Sequence, residues 1–331
     1  MNAPRRRVGG GRPARGGAAF VSAPPVTPPV GRSDPFDYRD VVPPLDHVIL
    51  TRFSVVFVPE QPPASDDWLR YRWAFFEEAT IASLESQSVQ SFRWLVFLDD
   101  RAPTWLRERM SAAAGPFEPV YLSGPFTVDA VRRAIGSDSA SPLLTTRLDS
   151  DDALGIRFVE TVQREATTAI AAGLDADGLY LNATRGLQLE RSGRIYRYDY
   201  ASNPFLSFVE TRTPSAWPRT VFQDGRHGGA REHAPVRSIR AEPLWLQVVH
   251  GSNLMNDIRG VRVHPRAAER SFDVALGFRR DVPPLRLVTE RLVSMAALVL
   301  LWLRHPGLGR QAVVGRVEYL LGTRTRPRRR R

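Results

Sequence analysis

Three aspartates lie within four positions of this 331-residue chain, at Asp149, Asp151 and Asp152. They directly follow the apolar run 143–148, which predicts a buried strand. Carboxylates this close repel one another unless a cation neutralises them or they cap a helix and face solvent. Hard oxygen ligands suit Mg²⁺ or Mn²⁺, and such an ion would stabilise charge on a leaving phosphate. A plain N-terminal charge group for the helix predicted next would account for the acids equally well.

The elements that would position these acids follow from apolar periodicity. Strands are predicted at 47–53, 92–98, 117–122 and 143–148, and helices at 65–84, 103–113, 127–135 and 156–170. Strand alternating with helix four times is typical of a parallel sheet with helices on both faces. In such folds ligands bind outside the carboxyl ends of the strands. We therefore expect one site where three polar clusters follow strands, namely Thr51-Arg52, Asp99-Asp100 and Asp149 to Asp152.

The pattern changes after residue 178. A hairpin around Ser192-Gly193 is predicted to join strands at 179–190 and 195–200. Further predictions are strands at 206–212 and 244–249, a long loop at 213–235, and helices at 285–303 and 308–321. Residues 1–44 hold nine Pro and six Gly, so we expect them to be disordered. The predicted divisions are a tail at 1–44, a catalytic α/β domain at 45–284, and C-terminal helices with a basic end at 285–331.

Composition excludes several classes of chemistry and of partner. Cysteine and lysine are both absent, which excludes thiolate catalysis, cysteine metal sites, a Schiff-base lysine and a P-loop lysine. The net charge of +11 lies in the termini, because residues 45–303 carry 30 Arg against 31 acids. A neutral body argues against nucleic acid as a partner. No apolar segment follows Arg5 to Arg7, so we expect a cytoplasmic protein rather than a secreted one.

Several segments together resemble a known family. Residues 83–100, SLESQSVQSFRWLVFLDD, resemble the opening of inverting family 2 glycosyltransferases, in which a helix ending in Ser-Leu and a Gln precedes a strand ending in Asp. Thr146 to Leu154 resembles their Asp-x-Asp motif. With Thr-Arg-Phe at 51–53 and Trp-Leu-Gln-Val-Val-His-Gly at 245–251, the chain is most similar to the family of putative rhamnosyltransferases.

The resemblance implies a glycosyltransferase-A-like fold with a mixed, mainly parallel sheet, to which this chain adds a helical C-terminal extension. It implies a metal-dependent hexosyltransferase that moves a sugar from a nucleotide-sugar donor to an acceptor hydroxyl. The family name implies rhamnose as the sugar. Cell-envelope or exopolysaccharide synthesis is the expected setting, with a glycan or a lipid-linked molecule as the acceptor.

The resemblance also implies roles for individual residues. Asp151, with Asp149 nearer the nucleotide, would hold Mn²⁺ or Mg²⁺ on the donor diphosphate. His250, after a predicted strand, would be a further ligand, and a structural histidine is the alternative.

The donor itself would contact residues at the ends of the three strands that border the expected site, which we call the mouth. Asp99, or Asp100 if the strand ends later, would bind the base. Thr51, Arg52 and Arg147 would border the diphosphate, since arginine suits bidentate phosphate contact. Ion pairs with the neighbouring aspartates would explain the two arginines equally well.

An inverting transfer also needs a carboxylate that accepts the proton of the acceptor hydroxyl. Asp224, Glu232 and Glu242 lie in the expected part of the chain, upstream of His250. Asp224 falls in the long predicted loop, which could close over the substrates. The residues leave the choice among the three open.

Two other functions are compatible with the residues. A metal-dependent sugar-phosphate transferase would need the same acid cluster. A non-catalytic adaptor would instead use the C-terminal helices, whose uncharged run at 292–303 is shorter than the ~20 residues of a membrane span. Those helices and their arginines predict either a core helix with a solvated basic end or docking on an anionic membrane surface.

Overall fold

The computed structural model of this chain describes residues 44–325 apart from 114, 137–140, 175, 213–215, 224–228, 252–256, 280–281 and 322–323. The predicted N-terminal tail up to residue 43 and the candidate base Asp224 lie outside the described residues.

Strands and helices alternate in the first half of the chain. The strands are β1 (Asp46–Ser54), β2 (Arg93–Asp99), β3 (Glu118–Leu122), β4 (Leu143–Asp149), β5 (Ala153–Leu154), β6 (Leu179–Ala183), β7 (Arg185–Glu190), β8 (Ile195–Asp199), β9 (Ser207–Glu210), β10 (Val236–Ile239), β11 (Trp245–Val249), β12 (Val261–Val263) and β13 (Arg324–Thr325). The α-helices are α1 (Asp66–Phe75), α2 (Ala82–Glu85), α3 (Thr104–Ala113), α4 (Val128–Ile135), α5 (Phe158–Ala171), α6 (Ala230–His233), α7 (Arg266–Glu269), α8 (Pro284–Arg304) and α9 (Pro306–Leu321).

The strands form two sheets. The larger has the order β13-β10-β6-β9-β4-β1-β2-β3, and the smaller has the order β12-β8-β7-β11-β5. In the larger sheet β1 pairs in parallel with β2 and β4, and β3 in parallel with β2, whereas β9 is antiparallel to its neighbours β4 and β6. The structure thus confirms the mixed, mainly parallel α/β fold and the helical C-terminal region.

Both faces of the larger sheet are covered, as the continuous apolar strands predict. Ile49 and Phe53 of β1 belong to the cluster that also contains buried residues of α1, α3 and α5. Val48 and Leu50 face the other way and pack with Val131 of α4. Polar side chains can therefore gather at the edge of the sheet that the carboxyl ends of β1, β2 and β4 form.

One predicted strand is in fact two strands in different sheets. Residues 179–190 divide at Thr184 into β6 of the larger sheet and β7 of the smaller one. Asn182 and Asn203 secure this crossing, because Asn182 donates to the carbonyl of Ala201 at 2.9 Å and Asn203 to that of Ala183 at 2.7 Å. Beyond the crossing, β7 and β8 form the predicted hairpin, whose turn places Gly193 at a φ of +79°.

The two C-terminal helices are present as predicted. Glu318 anchors α9 to the body, since its buried carboxylate accepts from Arg231 at 2.6 Å and from Ser238 of β10 at 2.7 Å. Across the described residues, the helices are too short or too polar for any of them to traverse a bilayer.

Candidate active site

The ends of β1 and β4 meet at Arg52 and Asp149, which are direct partners in the parallel register. Arg52 Nη2 donates to Asp149 Oδ1 at 3.1 Å, and Arg147, two residues earlier on β4, donates to Oδ2 at 2.9 Å. Burial alone would raise the pKa of Asp149, but Arg147 and Arg52 hold that pKa well below its ordinary value. Asp149 is therefore an ionised carboxylate beneath two guanidinium groups, and both groups remain partly exposed.

Three phenylalanine rings surround the Arg52 guanidinium. Its carbon lies 5.6 Å from the Phe57 ring centre, 5.8 Å from that of Phe126 and 5.2 Å from that of Phe222. The Phe222 ring is also 5.9 Å from the guanidinium of Arg147. Cation–π attraction at these distances holds the Arg52 guanidinium in one orientation. Through Phe222, the long segment after β9 reaches the candidate site.

Asp151 is buried on the other side of the same turn. Its Oδ2 accepts from His250 Nε2 at 2.9 Å and also from the guanidinium of Arg72. Arg72 Nε donates to Ser150 Oγ at 2.9 Å, so one arginine holds two consecutive residues of the turn. The pairing of β11 with β5 explains how His250 arrives here, because β5 begins two residues after Asp151. The structure thus brings together Asp151 and His250, two of the three predicted metal ligands.

One face of α1 is built around this pair. Phe75 stacks on the His250 ring at 4.2 Å between centres, and Tyr71 contacts it edge-on at 5.4 Å. Tyr71 also donates to the His250 carbonyl at 3.0 Å, and the Arg72 guanidinium lies 5.3 Å from the Trp68 ring centre. This face is missing from the sequence prediction. Its signal is the spacing 68, 71, 72 and 75, a second stripe beside the predicted core stripe that contains Leu69.

Asp152 has a different role from its two neighbours. Its Oδ1 accepts from the Val248 amide at 2.8 Å, and its carbonyl accepts from Thr80 Oγ1 at 2.9 Å. Burial raises its pKa well above the ordinary value, and the charges of Asp151 and Asp149 raise it further. Asp149 and Asp151 are thus paired with arginine side chains, whereas Asp152 holds the turn against β11.

The helix-to-Gln motif holds the chain that leaves the acidic turn. Ser83 Oγ accepts from the Leu154 amide at 3.2 Å. Gln87 donates to the Gly155 carbonyl at 2.9 Å and accepts from the Val159 amide at 3.0 Å. The motif therefore contributes to the site indirectly, by fixing the main chain on the far side of the three aspartates.

Asp99 ends β2 at the same edge of the sheet. Its two oxygens accept from the Arg101 side chain at 2.9 and 2.7 Å, and one accepts from the Arg101 amide at 2.9 Å. The hydrogen bonds from the Arg101 side chain are the main reason that the pKa of Asp99 lies below its ordinary value. Because β1 separates β2 from β4, Asp99 lies two strands away from Asp149 in the sheet. Asp100, the alternative candidate, is half-buried next to it.

Three of the predicted site residues lie away from this mouth. Thr51 is fully buried, and its Oγ1 accepts from Trp94 Nε1 at 2.9 Å within the core. Glu242 precedes β11, at the end of that strand opposite to His250. Glu232 lies on α6, which precedes β10 and so stands at the amino ends of the parallel strands. Both glutamates are exposed.

The donor atoms that suit a divalent cation are those of Asp151 and His250. Among the described residues, no group of three or more His, Asp or Glu side chains is arranged to hold a metal ion. Asp149 is instead engaged by Arg52 and Arg147. An ion here would depend on one carboxylate, one imidazole and the oxygens of a bound substrate.

The fold resembles solved structures only at a distance. The fragment 1-349 of TarS from S. aureus in complex with UDP is 11% identical, with a TM-score of 0.35 over 62% of this chain and 60% of that one. The same fragment with UDP-GlcNAc is 10% identical, with a TM-score of 0.33 over 63% of this chain and 60% of that one. HddC from Yersinia pseudotuberculosis is 11% identical, with a TM-score of 0.27 over 62% of this chain and 89% of that one. The chain therefore spans less than two thirds of the TarS fragment.

The match to a sequence family is more extensive. No curated protein matches this sequence. A family model described as putative rhamnosyl transferase matches residues 62–262, more than half of the chain. The matched range runs from before α1 to β12, so it contains the acidic turn, His250 and the α1 face that packs on them. The chain belongs to the putative rhamnosyl transferase family, as its resemblance predicts.

Proposed function

We propose that this chain transfers a sugar, rhamnose in the first instance, from a nucleoside diphosphate donor to an acceptor hydroxyl. The observation that carries the proposal is the convergence of Arg52, Arg147 and Arg72 on one acidic turn at the carboxyl edge of the sheet. Family membership supplies the reaction class. Guanidinium groups held this way are suited to binding a diphosphate.

The proposed reaction exchanges one bond at the anomeric carbon of the sugar. The acceptor oxygen bonds to that carbon as the bond to the diphosphate oxygen breaks. The nucleoside diphosphate leaves with the electron pair, and the hydroxyl proton passes to a carboxylate. Negative charge grows on the departing phosphate. Arg52 and Arg147 would stabilise that charge, because each guanidinium group is held in one orientation and is still partly exposed.

We propose Mn²⁺ or Mg²⁺ as the cofactor, held by Asp151 and His250, with Asp149 close to the nucleotide. When bound, the ion would act as a Lewis acid on the diphosphate. Arg72 shares Asp151 Oδ2 with His250, so this guanidinium would have to leave the oxygen that an ion would take. Once displaced, Arg72 would become a further cation for the donor diphosphate.

Asp224 is the proposed base among the three candidates. It follows Phe222 by two residues, and the Phe222 ring lies 5.2 Å from the Arg52 guanidinium. Through Phe222, the described chain that leads to Asp224 reaches the mouth of the site, whereas Asp224 itself lies outside the described residues. Glu232 and Glu242, by contrast, belong to segments at other edges of the sheets.

The donor base would lie against Asp99, across β1 from the diphosphate. We propose that the acceptor is a glycan or a lipid-linked molecule of cell-envelope or exopolysaccharide synthesis. The proposed location is the cytoplasm, including the inner face of the plasma membrane. Residues 304–331 contain nine arginines and one glutamate, and this positive charge favours binding to the acidic inner face of that membrane.

Calorimetric titration with dTDP, UDP and GDP, each with and without Mn²⁺, tests the proposal. We expect one nucleotide to bind in a metal-dependent manner, and we expect Asp151→Asn to abolish that dependence. Asp129→Asn is the matched control, because Asp129 is an exposed partner of Arg132 on α4. A folded protein that binds none of the three at millimolar concentration would contradict the proposal.

The products then separate the two kinds of transfer. Incubation with the matching nucleotide-sugar should release the nucleoside diphosphate, which phosphorus NMR identifies. Release of the nucleoside monophosphate instead would indicate transfer of a sugar phosphate.

A further inference from the structure

Helix α8 has apolar residues on two opposite sides. Leu298 packs inward, and Ser294 Oγ accepts from the Arg262 amide of β12 at 3.0 Å. On the other side, six large apolar side chains have exposed fractions of 48–80%, and we call them the outer face: Leu285, Val288, Leu292, Met295, Val299 and Leu303.

The outer face is continuous. At 100° per residue its members fall within an arc of about 80°, along a length of about 27 Å. Exposed Val293 and Leu300 widen the same surface on one side. A surface helix normally has one apolar face, which is buried, whereas α8 has a second apolar face that is exposed. Apolar surface of this extent marks a place where something else docks.

The charges around the outer face are all of one sign. Arg291 borders it on one side, and Arg286 and Arg304 border it on the other. The single acid of α8, Glu290, points inward, where Arg262 donates to it at 2.9 Å and Arg286 at 3.1 Å.

Helix α9 continues the same charge pattern. Its single acid, Glu318, is buried against Arg231 and Ser238. In the described part of the C-terminal region, the carboxylates of both helices are thus neutralised within the protein, while most of its arginines reach the surface.

The positive charge around the outer face indicates which kind of partner surface could cover it. A second copy of the chain would bring the same arginine borders face to face, and like charges repel. Residues 1–44 carry seven Arg against three acids, so they are basic as well. An anionic lipid bilayer complements both features, because it accepts apolar side chains at the acyl boundary and offers phosphates to the arginines.

We infer that the outer face of α8 inserts into the interfacial layer of a membrane that contains anionic phospholipid. The helix would lie in the plane of the surface rather than cross it, with Arg291 and Arg304 at the level of the headgroups. The docking itself does not depend on the proposed function. Its consequence, that the active site is held beside a lipid-linked acceptor, rests on that function.

Co-sedimentation of the full chain with lipid vesicles tests the inference. One set of vesicles is pure phosphatidylcholine, and the other contains equal parts phosphatidylcholine and phosphatidylglycerol. We expect binding to the second set only. The double variant Leu292→Glu/Val299→Glu should lower the bound fraction by about tenfold or more, since it places two carboxylates in the buried layer. The double variant Ser111→Glu/Ala112→Glu adds the same charge at exposed positions of α3 and should bind like the unaltered protein.

Three results would overturn the inference. The first is absence of binding to either vesicle, and the second is equal binding by the outer-face variant and the unaltered protein. The third is a concentration-dependent dimer in analytical ultracentrifugation that the outer-face variant abolishes, which would assign the face to a second copy. Circular dichroism melts establish that both variants are folded. Nucleotide titration of the same samples keeps the two questions apart, because vesicle binding without nucleotide binding would refute the proposed function and leave the docking intact.

Discussion

Arg52 and Asp149 occupy the same register position on adjacent parallel strands, and their side chains form an ion pair of 3.1 Å. The pair is shared, since Arg147 reaches the same carboxylate from within β4. Removing one arginine therefore leaves Asp149 with a partner. This makes Arg52 a residue whose loss should affect ligand binding more than folding.

Replacing Arg52 with methionine should weaken binding of the matching nucleoside diphosphate by about 10- to 100-fold, the value of one charge-assisted hydrogen bond. Arg52→Lys should recover only part of the affinity, because an ammonium group cannot form a bidentate contact. Titration calorimetry measures both. The control is Arg157→Met, which removes an exposed arginine paired with Glu160. Unchanged affinity in Arg52→Met would show that this guanidinium does not bind the donor.

Replacing Arg72 with glutamine should increase the affinity of the nucleotide-free protein for Mn²⁺. The physical reason is competition, since the Arg72 guanidinium now neutralises the oxygen of Asp151 that the ion would take. Electron paramagnetic resonance of free Mn²⁺ reports the affinity directly. Arg70→Gln is the control on the same helix, because Arg70 pairs with Asp66 at the surface. A fall in Mn²⁺ affinity in Arg72→Gln would indicate that Arg72 supports the ion site instead of competing with it.

Replacing Asp224 with asparagine should lower kcat by about 10²- to 10⁴-fold while donor affinity stays the same, as expected for loss of a general base. Glu232→Gln and Glu242→Gln should keep their turnover, since both residues are exposed and distant from the acidic turn. Steady-state assays of nucleoside diphosphate release compare the three variants. If Asp224→Asn turns over normally, the base is another group.

Glu210 predicts a pH dependence of stability that is independent of catalysis. Burial raises the pKa of this β9 residue to about 7, although its carboxylate accepts from the Arg219 amide at 2.6 Å. The folded state therefore binds the Glu210 proton more tightly than the unfolded state does. The stability that this proton confers is complete below the ordinary glutamate pKa and is lost as pH rises through 7.

Glu210→Gln removes the titration and keeps the accepting oxygen. We expect its free energy of unfolding to exceed that of the unaltered protein by about 1 kcal/mol at pH 8, with no gain near pH 4. Urea unfolding at several pH values measures the difference. Glu160→Gln, at an exposed position whose pKa is lowered mainly by a hydrogen bond from Arg157, should give no gain at any pH. A constant offset between Glu210→Gln and the unaltered protein at every pH would exclude titration as the cause.

Apolar periodicity was enough to predict the strands and helices that build the site, but not which side of them each residue faces. Thr51 and Arg52 were both expected at the mouth. Successive residues of a strand point to opposite faces, so only Arg52 lies there, and Thr51 binds Trp94 in the core. The break at Thr184 was likewise invisible, because the apolar alternation continues through it, with Leu181 and Ala183 before it and Leu187 and Leu189 after it.

Arg72 was missed for a different reason. A charged residue on a helix has the pattern of a solvated face, and only the position of the acidic turn shows that it is engaged. The pairing of His250 with Asp151 was within reach, since a strand followed by histidine is visible in the sequence. The assignment of each aspartate to a separate partner required the tertiary structure.

The helix that begins at α1 continues to α2 through six π-helical residues, Phe76–Ile81. Such a stretch carries an additional residue relative to a regular α-helix. It begins four residues after Arg72, which holds Asp151, and it contains Thr80, which holds the Asp152 carbonyl. The wider π-helical turn absorbs this residue, so the turns before and after it keep the relative directions of a regular helix. A second residue inserted here would rotate the preceding turns by about 100° relative to Ser83 and Gln87. Arg72 and the rings around His250 would then face away from the acidic turn, so the length of this segment constrains the site as strictly as the identity of its aspartates.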